Sequence, residues 1–164
     1  PRGSRPAPAA AKPESFRDDR LRFALDYCGE WVVSGPEKGT LTLTGRPGAP
    51  TAGAVITVTV APKASVPNSS NLQILLRMHE RLTDMGAALV KLGGATVGGQ
   101  TAVYASHTYD DRDTQGKMTP FDHLLYVVNH GAYYYLLAFV APHEVFARQT
   151  ESFKRIFNSW RFLP

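Results

Sequence analysis

The chain has one cysteine, Cys28, in 164 residues. No intramolecular disulfide can form, and no cysteine-based zinc cluster can be built. Nor does any stretch approach the ~18 consecutive apolar residues that a membrane-crossing helix needs. Charge of one sign is also scarce where it would matter. Of the 18 basic and 14 acidic residues, six and three lie within residues 1–22, which leaves 12 and 11 for the other 142. That part is close to neutral and carries no basic footprint for nucleic acid. The glycine-rich Gly93–Gly99, beside Lys91, lacks the G-K-[ST] ending of a phosphate loop and reads as turns. No nucleophile signature surrounds Cys28, which reads as a small buried thiol. No catalytic or cofactor-binding constellation is legible, and the chain reads as a non-enzyme.

What is present falls into three parts. Pro1–Ser4 (PRGS) matches the remnant of a thrombin-cleavage linker and is set aside from fold reasoning. Residues 5–15, beginning RPAPAAAKP, are Pro/Ala-rich and read as a flexible or polyproline-like leader. Leaders of this kind often separate a folded domain from a signal peptide or lipid anchor, and no such anchor stands in these residues. Residues 16–164 read as a single domain, and the 43% apolar content of the whole chain suffices for its core.

That domain is organised around Tyr133–Phe162. Tyr133–Val140 (YYYLLAFV) is apolar or aromatic at every position. Such a strand must be covered on both faces, so it is expected at the centre of a sheet with a layer above and below. Pro142 then ends the ladder and Glu144 favours a helix N-terminus. Phe146, Phe153, Phe157 and Trp160 form one stripe of the following helix, with Gln149 and Ile156 at its margins. The three tyrosines could stack bases or sugars, but without a basic surround they read as sheet core.

Upstream, residues 14–20 are either a short helix or extended. Strands are expected at Arg22–Tyr27, Trp31–Val33, Thr40–Thr44 and Val55–Ala61, with a Pro/Gly-rich loop at Gly45–Gly53. The serines of Val66–Ser70 can cap a helix whose inner face carries Leu72, Leu75, His79 and Leu82, stopped by Gly86. A short strand Leu89–Leu92, two longer ones at Thr101–Tyr109 and His123–His130, and the central strand then form a meander. Strands and helices in segregated runs indicate α+β architecture.

Two sets of side chains invite a site. The expected loop Asp110–Pro120 has partial calcium-loop spacing at Asp111, Asp113, Gln115, Gly116 and Asp122, but Pro120 and Arg112 interrupt it and strands flank it. A solvated hairpin loop is the plainer reading. His107 and His123 flank that loop on adjacent strands and could approach across a ladder. Together with Asp111 and Asp113 they could hold calcium, manganese or zinc, or they are simply polar residues at a sheet end. His79 reads as a core or boundary histidine, His130 as a turn residue and His143 as part of the last helix's first turn. Asp110, Asp111, Arg112 and Asp113 are also the candidate contacts for a protein partner.

The aromatic run Phe23, Tyr27 and Trp31 carries a family resemblance. So do the acidic-tipped hairpin and the passage from Tyr134–Val140 through Phe146, Phe153 and Ile156 to Ser159-Trp160-Arg161-Phe162. In these the chain resembles the PsbP-like family, over most of residues 16–164. The resemblance implies an antiparallel sheet sandwiched by helices and a non-catalytic role of binding a protein partner. It also implies export or lipid anchoring, which would place the chain in a bacterial cell envelope, periplasmic, secreted or attached to a membrane by an anchor upstream of these residues.

Overall fold

The computed structural model describes residues 13–66 and 69–164. The leader expected over 5–15 therefore lies outside the described residues as far as residue 12, as does the linker remnant. In chain order the elements are Glu14–Asp18 (β1), Phe23–Tyr27 (β2), Trp31–Glu37 (β3), Thr40–Gly45 (β4), Val55–Pro62 (β5) and helix Asn71–Asp84 (α1). There follow Ala88–Val97 (β6), Gln100–Arg112 (β7), Met118–His130 (β8), Tyr133–Pro142 (β9), helix His143–Asn158 (α2) and Arg161–Phe162 (β10). Residues 14 and 15, expected in the leader, already belong to β1, where Ser15 Oγ donates to Asp26 of β2 at 2.6 Å.

The main sheet has seven strands in the order β3-β4-β5-β9-β8-β7-β6, all antiparallel, which puts β9 at its centre. Alternation along β9 sorts the core into two layers. Tyr135, Leu137 and Phe139 join Ile56, Val58, Leu41 and Leu43 beneath α2, whose Phe153 and Ile156 are buried against them. Tyr134 and Ala138 join Leu125 and Val127 beneath α1, which contributes Ile74 and Leu75. The helices thus cover opposite faces, giving an α+β fold with an antiparallel sheet sandwiched by helices. A second sheet of three strands, β1-β2-β10, closes the α2 side.

Local chemistry sets the element ends. Ser70 and Gln73 form a reciprocal capping box at the start of α1, satisfying two helix-end donors. Gly86 follows α1 with φ 96°, a conformation that costs a glycine least. β10 was not legible in the sequence. It forms because Leu163 N donates to Arg22 O at 2.9 Å and Phe162 pairs with Phe23.

Two expected loops are strands. Gly93–Gly99 splits into the end of β6 and a tight turn at Gly98-Gly99. Gly93 is tolerated in a strand because Tyr104 lies over it, so close that a Cβ there would come within 2.8 Å of its hydroxyl and 2.9 Å of its ring. The expected loop Asp110–Pro120 shrinks to Asp113–Lys117. Asp110, Asp111 and Arg112 are strand residues paired with Pro120, Thr119 and Met118. Pro120 sits where β8 has lost one of its two neighbours, since β9 pairs with β8 only from Phe121 onward, and a strand at such an edge tolerates proline.

The C-terminal aromatics close the core. Trp160, 4% exposed, stacks on Phe23 at 4.6 Å with an interplanar angle of 4° and meets Tyr135 edge-on at 5.6 Å. Replacing Trp160 by alanine should lower unfolding free energy by about 3–5 kcal/mol. Urea denaturation followed by circular dichroism measures this, and a change under about 1 kcal/mol would contradict the packing role.

Candidate functional site

Past Thr108 on β7 and before Phe121 on β8, the two strands have lost their outer neighbours, because β6 begins at Ala88, opposite Thr108, and β9 ends opposite Phe121. They continue as a two-stranded arm of about four residue pairs, roughly 13 Å at strand rise. Stacked Tyr109 and Phe121, 6.0 Å apart and 10° from parallel, form its base.

The tip organises itself. Asp113 Oδ1 accepts from Gln115 N and Lys117 N, both at 2.9 Å, and Gly116 supplies a φ of 79°. Arg112 Nη1 donates to Gly116 O at 2.8 Å, and Asp111 Oδ1 accepts from Arg112 N at 2.7 Å. Asp113 is therefore engaged in its own turn. Asp110, Asp111 and Arg112 are exposed, and Met118 beside them is 54% exposed.

The arm leans over the β4–β5 loop and the start of α2, and the three enclose a cleft of about 670 Å³. Arg112, Gln115 and Lys117 line it from the arm, Gly53 from the loop, and His143 and Val145 from α2. His143 is fixed by a 2.6 Å contact from its Nδ1 to Asp122 Oδ2 on β8. The structure thus joins the acidic hairpin and the Gly45–Gly53 loop, which lie far apart in sequence. Sequence reasoning missed that His143, Val145 and Lys117 share this cleft. Asp122, spaced as a calcium ligand, instead pairs across the ladder with Thr108, three positions from Asp111.

His107 and His123 do meet, as direct cross-strand partners with ring centroids 6.3 Å apart. They lie on the α1 face, and His79 of that helix joins them, its Nδ1 2.8 Å from His107 Nε2. The signal for this third histidine was its position on an apolar helix face. Asp111, four residues beyond His107, and Asp113 lie out along the arm. Among the described residues no group of three or more His, Cys, Asp or Glu side chains is placed to hold a metal ion.

His107 is 1% exposed, and its Nδ1 and that of His123 are buried without a hydrogen-bond partner. Burial lowers the pKa of His107, assisted by His79. Burial chiefly, and then His107, brings His123 down to about 4. Both rings are neutral at pH 7. A neutral His107 donating from Nε2 to His79 leaves only an acceptor unpaired at Nδ1, the cheaper of the two arrangements.

An unfolded histidine titrates near 6.5, so between that pH and about 4 the unfolded chain binds a proton at His123 that the folded chain refuses. Stability is complete above pH 6.5 and falls as pH drops towards 4, by about 3 kcal/mol from this residue. Chemical denaturation at pH 7.5, 6, 5 and 4 should show this loss, and His123→Leu should flatten it. Equal slopes in both proteins would contradict the assignment.

No family model matches the sequence, and no curated protein matches it. Solved structures do. Cyanobacterial PsbP (CyanoP) from Synechocystis superposes with a TM-score of 0.67 at 12% identity, covering 98% of this chain and 98% of that one. LpqN, involved in cell envelope biogenesis of Mycobacterium tuberculosis, gives 0.60 at 13% identity over 94% of this chain and 86% of its own. The Ran-binding protein Mog1p of Saccharomyces cerevisiae gives 0.61 at 8% identity over 94% and 97%. The chain has the PsbP-like fold. At these identities the likeness is one of architecture.

Proposed function

We propose that this chain is a non-catalytic accessory protein of the bacterial envelope that binds a protein partner through the β7–β8 arm and the cleft beneath it. The observation that carries this reading is the arm itself. It projects beyond the sheet, where it adds little to the core, and it presents exposed Asp110, Asp111, Arg112 and Met118 above a preformed cleft. Hairpin arms with an exposed apolar side chain among charges suit protein recognition, in which one buried anchor is rimmed by polar contacts. The fold is shared with a Ran-binding protein and with a protein involved in cell envelope biogenesis, which supports the partner-binding and envelope parts of the reading. The Pro/Ala-rich residues 5–13 support export, since they suit a spacer between a domain and an anchor.

Cross-linking in envelope extract, followed by reconstitution with the purified partner, tests this. Asp110→Lys with Arg112→Glu should weaken the complex at least tenfold while the melting temperature stays within 2–3 °C of the parent, as expected for exposed substitutions. Undiminished affinity would move the interface elsewhere.

A second reading rests on the buried, unpartnered Nδ1 atoms of His107 and His123, which are nitrogen ligands in waiting. On this reading His107 and His123 bind calcium, manganese or zinc without Asp111 and Asp113, which the register carries out along the arm. Calorimetric titration with each ion decides it. Binding below millimolar that His107→Gln abolishes would support the metal site, and absence of heat with all three would end it.

A further inference from the structure

At the opposite end of β9 from the arm, three cations gather. Arg20 and Arg22 stand in the turn joining β1 to β2, and Lys38 in the turn joining β3 to β4. Arg20 and Lys38 line a cleft of about 340 Å³ whose other walls are Leu21, Val60, Pro62 and Tyr133. Tyr135 O–H donates to Leu21 O at 2.8 Å and holds this turn against the sheet, and Arg22 is near enough for its charge to act on that hydroxyl.

Backbone conformation sets two of these cations apart. Arg22 and Lys38, with φ of 60° and 50°, are the only non-glycine residues with positive φ among the described residues. Lys38 and Gly39, with φ of 50° and 80°, form a two-residue hairpin turn. Its first position favours asparagine, aspartate or glycine, because a larger side chain crowds its own backbone there. A lysine in that place, and an arginine in the same conformation in the β1–β2 turn, retain strain that glycine would relieve. Strain kept at a charged residue points to use of the charge.

Like most cations among the described residues, these three are also free of ion pairs, so their charge is available to a ligand. Arg17 in the neighbouring strand is paired with Asp19 at 2.7 Å, and Asp18 is engaged by Leu21 N at 2.8 Å. Arg20, Arg22 and Lys38 form no ion pair among the described residues, although exposed Glu37 adjoins Lys38 in sequence.

We propose that this cleft binds a phosphate ester, with Arg20 and Lys38 on the phosphate, Arg22 adding charge at the rim, and the ester's body lying on Leu21, Pro62 and Tyr133. An arginine fork and a lysine point charge together suit a dianionic tetrahedral group. The apolar floor and the size of the cleft leave room for more than a bare phosphate. The same chemistry is offered by a soluble phosphate ester and by the headgroup of an anionic phospholipid. The site is remote from the arm and stands or falls separately from the partner reading.

The test uses the whole chain at low ionic strength. Calorimetry with inorganic phosphate and with glycerol 3-phosphate probes the soluble source, and co-sedimentation with phosphatidylglycerol/phosphatidylcholine vesicles probes the lipid source. Saturable binding is expected, tighter for glycerol 3-phosphate than for phosphate, and weakened at least tenfold by Arg20→Gln with Lys38→Gln. Sedimentation with anionic vesicles assigns the ligand to the membrane surface, and its absence beside glycerol 3-phosphate binding assigns a soluble ester. Lys38→Gly separates site from scaffold, since it should raise the melting temperature while weakening binding. Lys154→Gln, which removes the same charge from the exposed side of α2, should leave binding unchanged. No saturable binding of any probe would overturn the proposal, as would equal losses from Lys38→Gly and Lys154→Gln.

Discussion

A strand that is apolar on both faces cannot stand at a surface, and the rest of the fold follows from covering β9. Tyr135 is the clearest case. Its ring meets Phe23, Trp160 and Phe162 edge-on at 6.0, 5.6 and 5.2 Å, and its hydroxyl reaches Leu21 O. Burial pushes that phenol up to about 12, so it stays a neutral donor at any ordinary pH. One side chain thereby ties the first strands, the central strand and the C-terminal segment together. Its partner Tyr134 does the same on the other face, donating to Ser69 O just ahead of α1. Few of these contacts are local in sequence, so the core closes only after distant segments meet, which favours slow, cooperative folding.

The elements legible in the sequence were those whose pattern is dictated by burial. Tyr133–Val140 was readable as central because it lacks a polar face, and α2 because Phe146, Phe153 and Phe157 recur at helical spacing. The hairpin was misjudged because Asp110, Asp111 and Pro120 are poor strand formers. Where neighbouring strands have ended, neither propensity nor a missing N–H is decisive, and that information resides in the register of β9 and β6. The pairing of His107 with His123 could be anticipated from their flanking positions, whereas the cleft could not. It depends on the β4–β5 loop arriving beside the arm through β5 and β9, a topological fact with no local signature.

The outer strands show how an open sheet remains unpaired. β6 exposes Leu89, Val90 and Leu92, which on a flat strand would invite a second chain. A bulge between Leu89 and Lys91 breaks the repeat there. At the far edge β3 has an irregularity between Ser34 and Glu37, where Pro36 offers no donor. Both are devices that spoil edge-to-edge addition. The arm lacks such cover, having instead charged residues and an engaged turn at its tip.

The β4–β5 loop, one wall of the arm's cleft, is folded down onto the sheet. Thr51 is fully buried and its hydroxyl donates to Glu30 O at 2.7 Å, while Gly45 lies so near Thr51 O that a Cβ would come within 1.7 Å of it. Successive backbone bonds at 3.0 Å from Ala49, Ala52 and Ala54 lock its course. A molecule entering the cleft therefore meets a wall already in its final shape and surrenders little chain entropy in docking. Capture would run at the rate of encounter rather than of loop rearrangement, and differences among ligands would be expressed in how long each one stays.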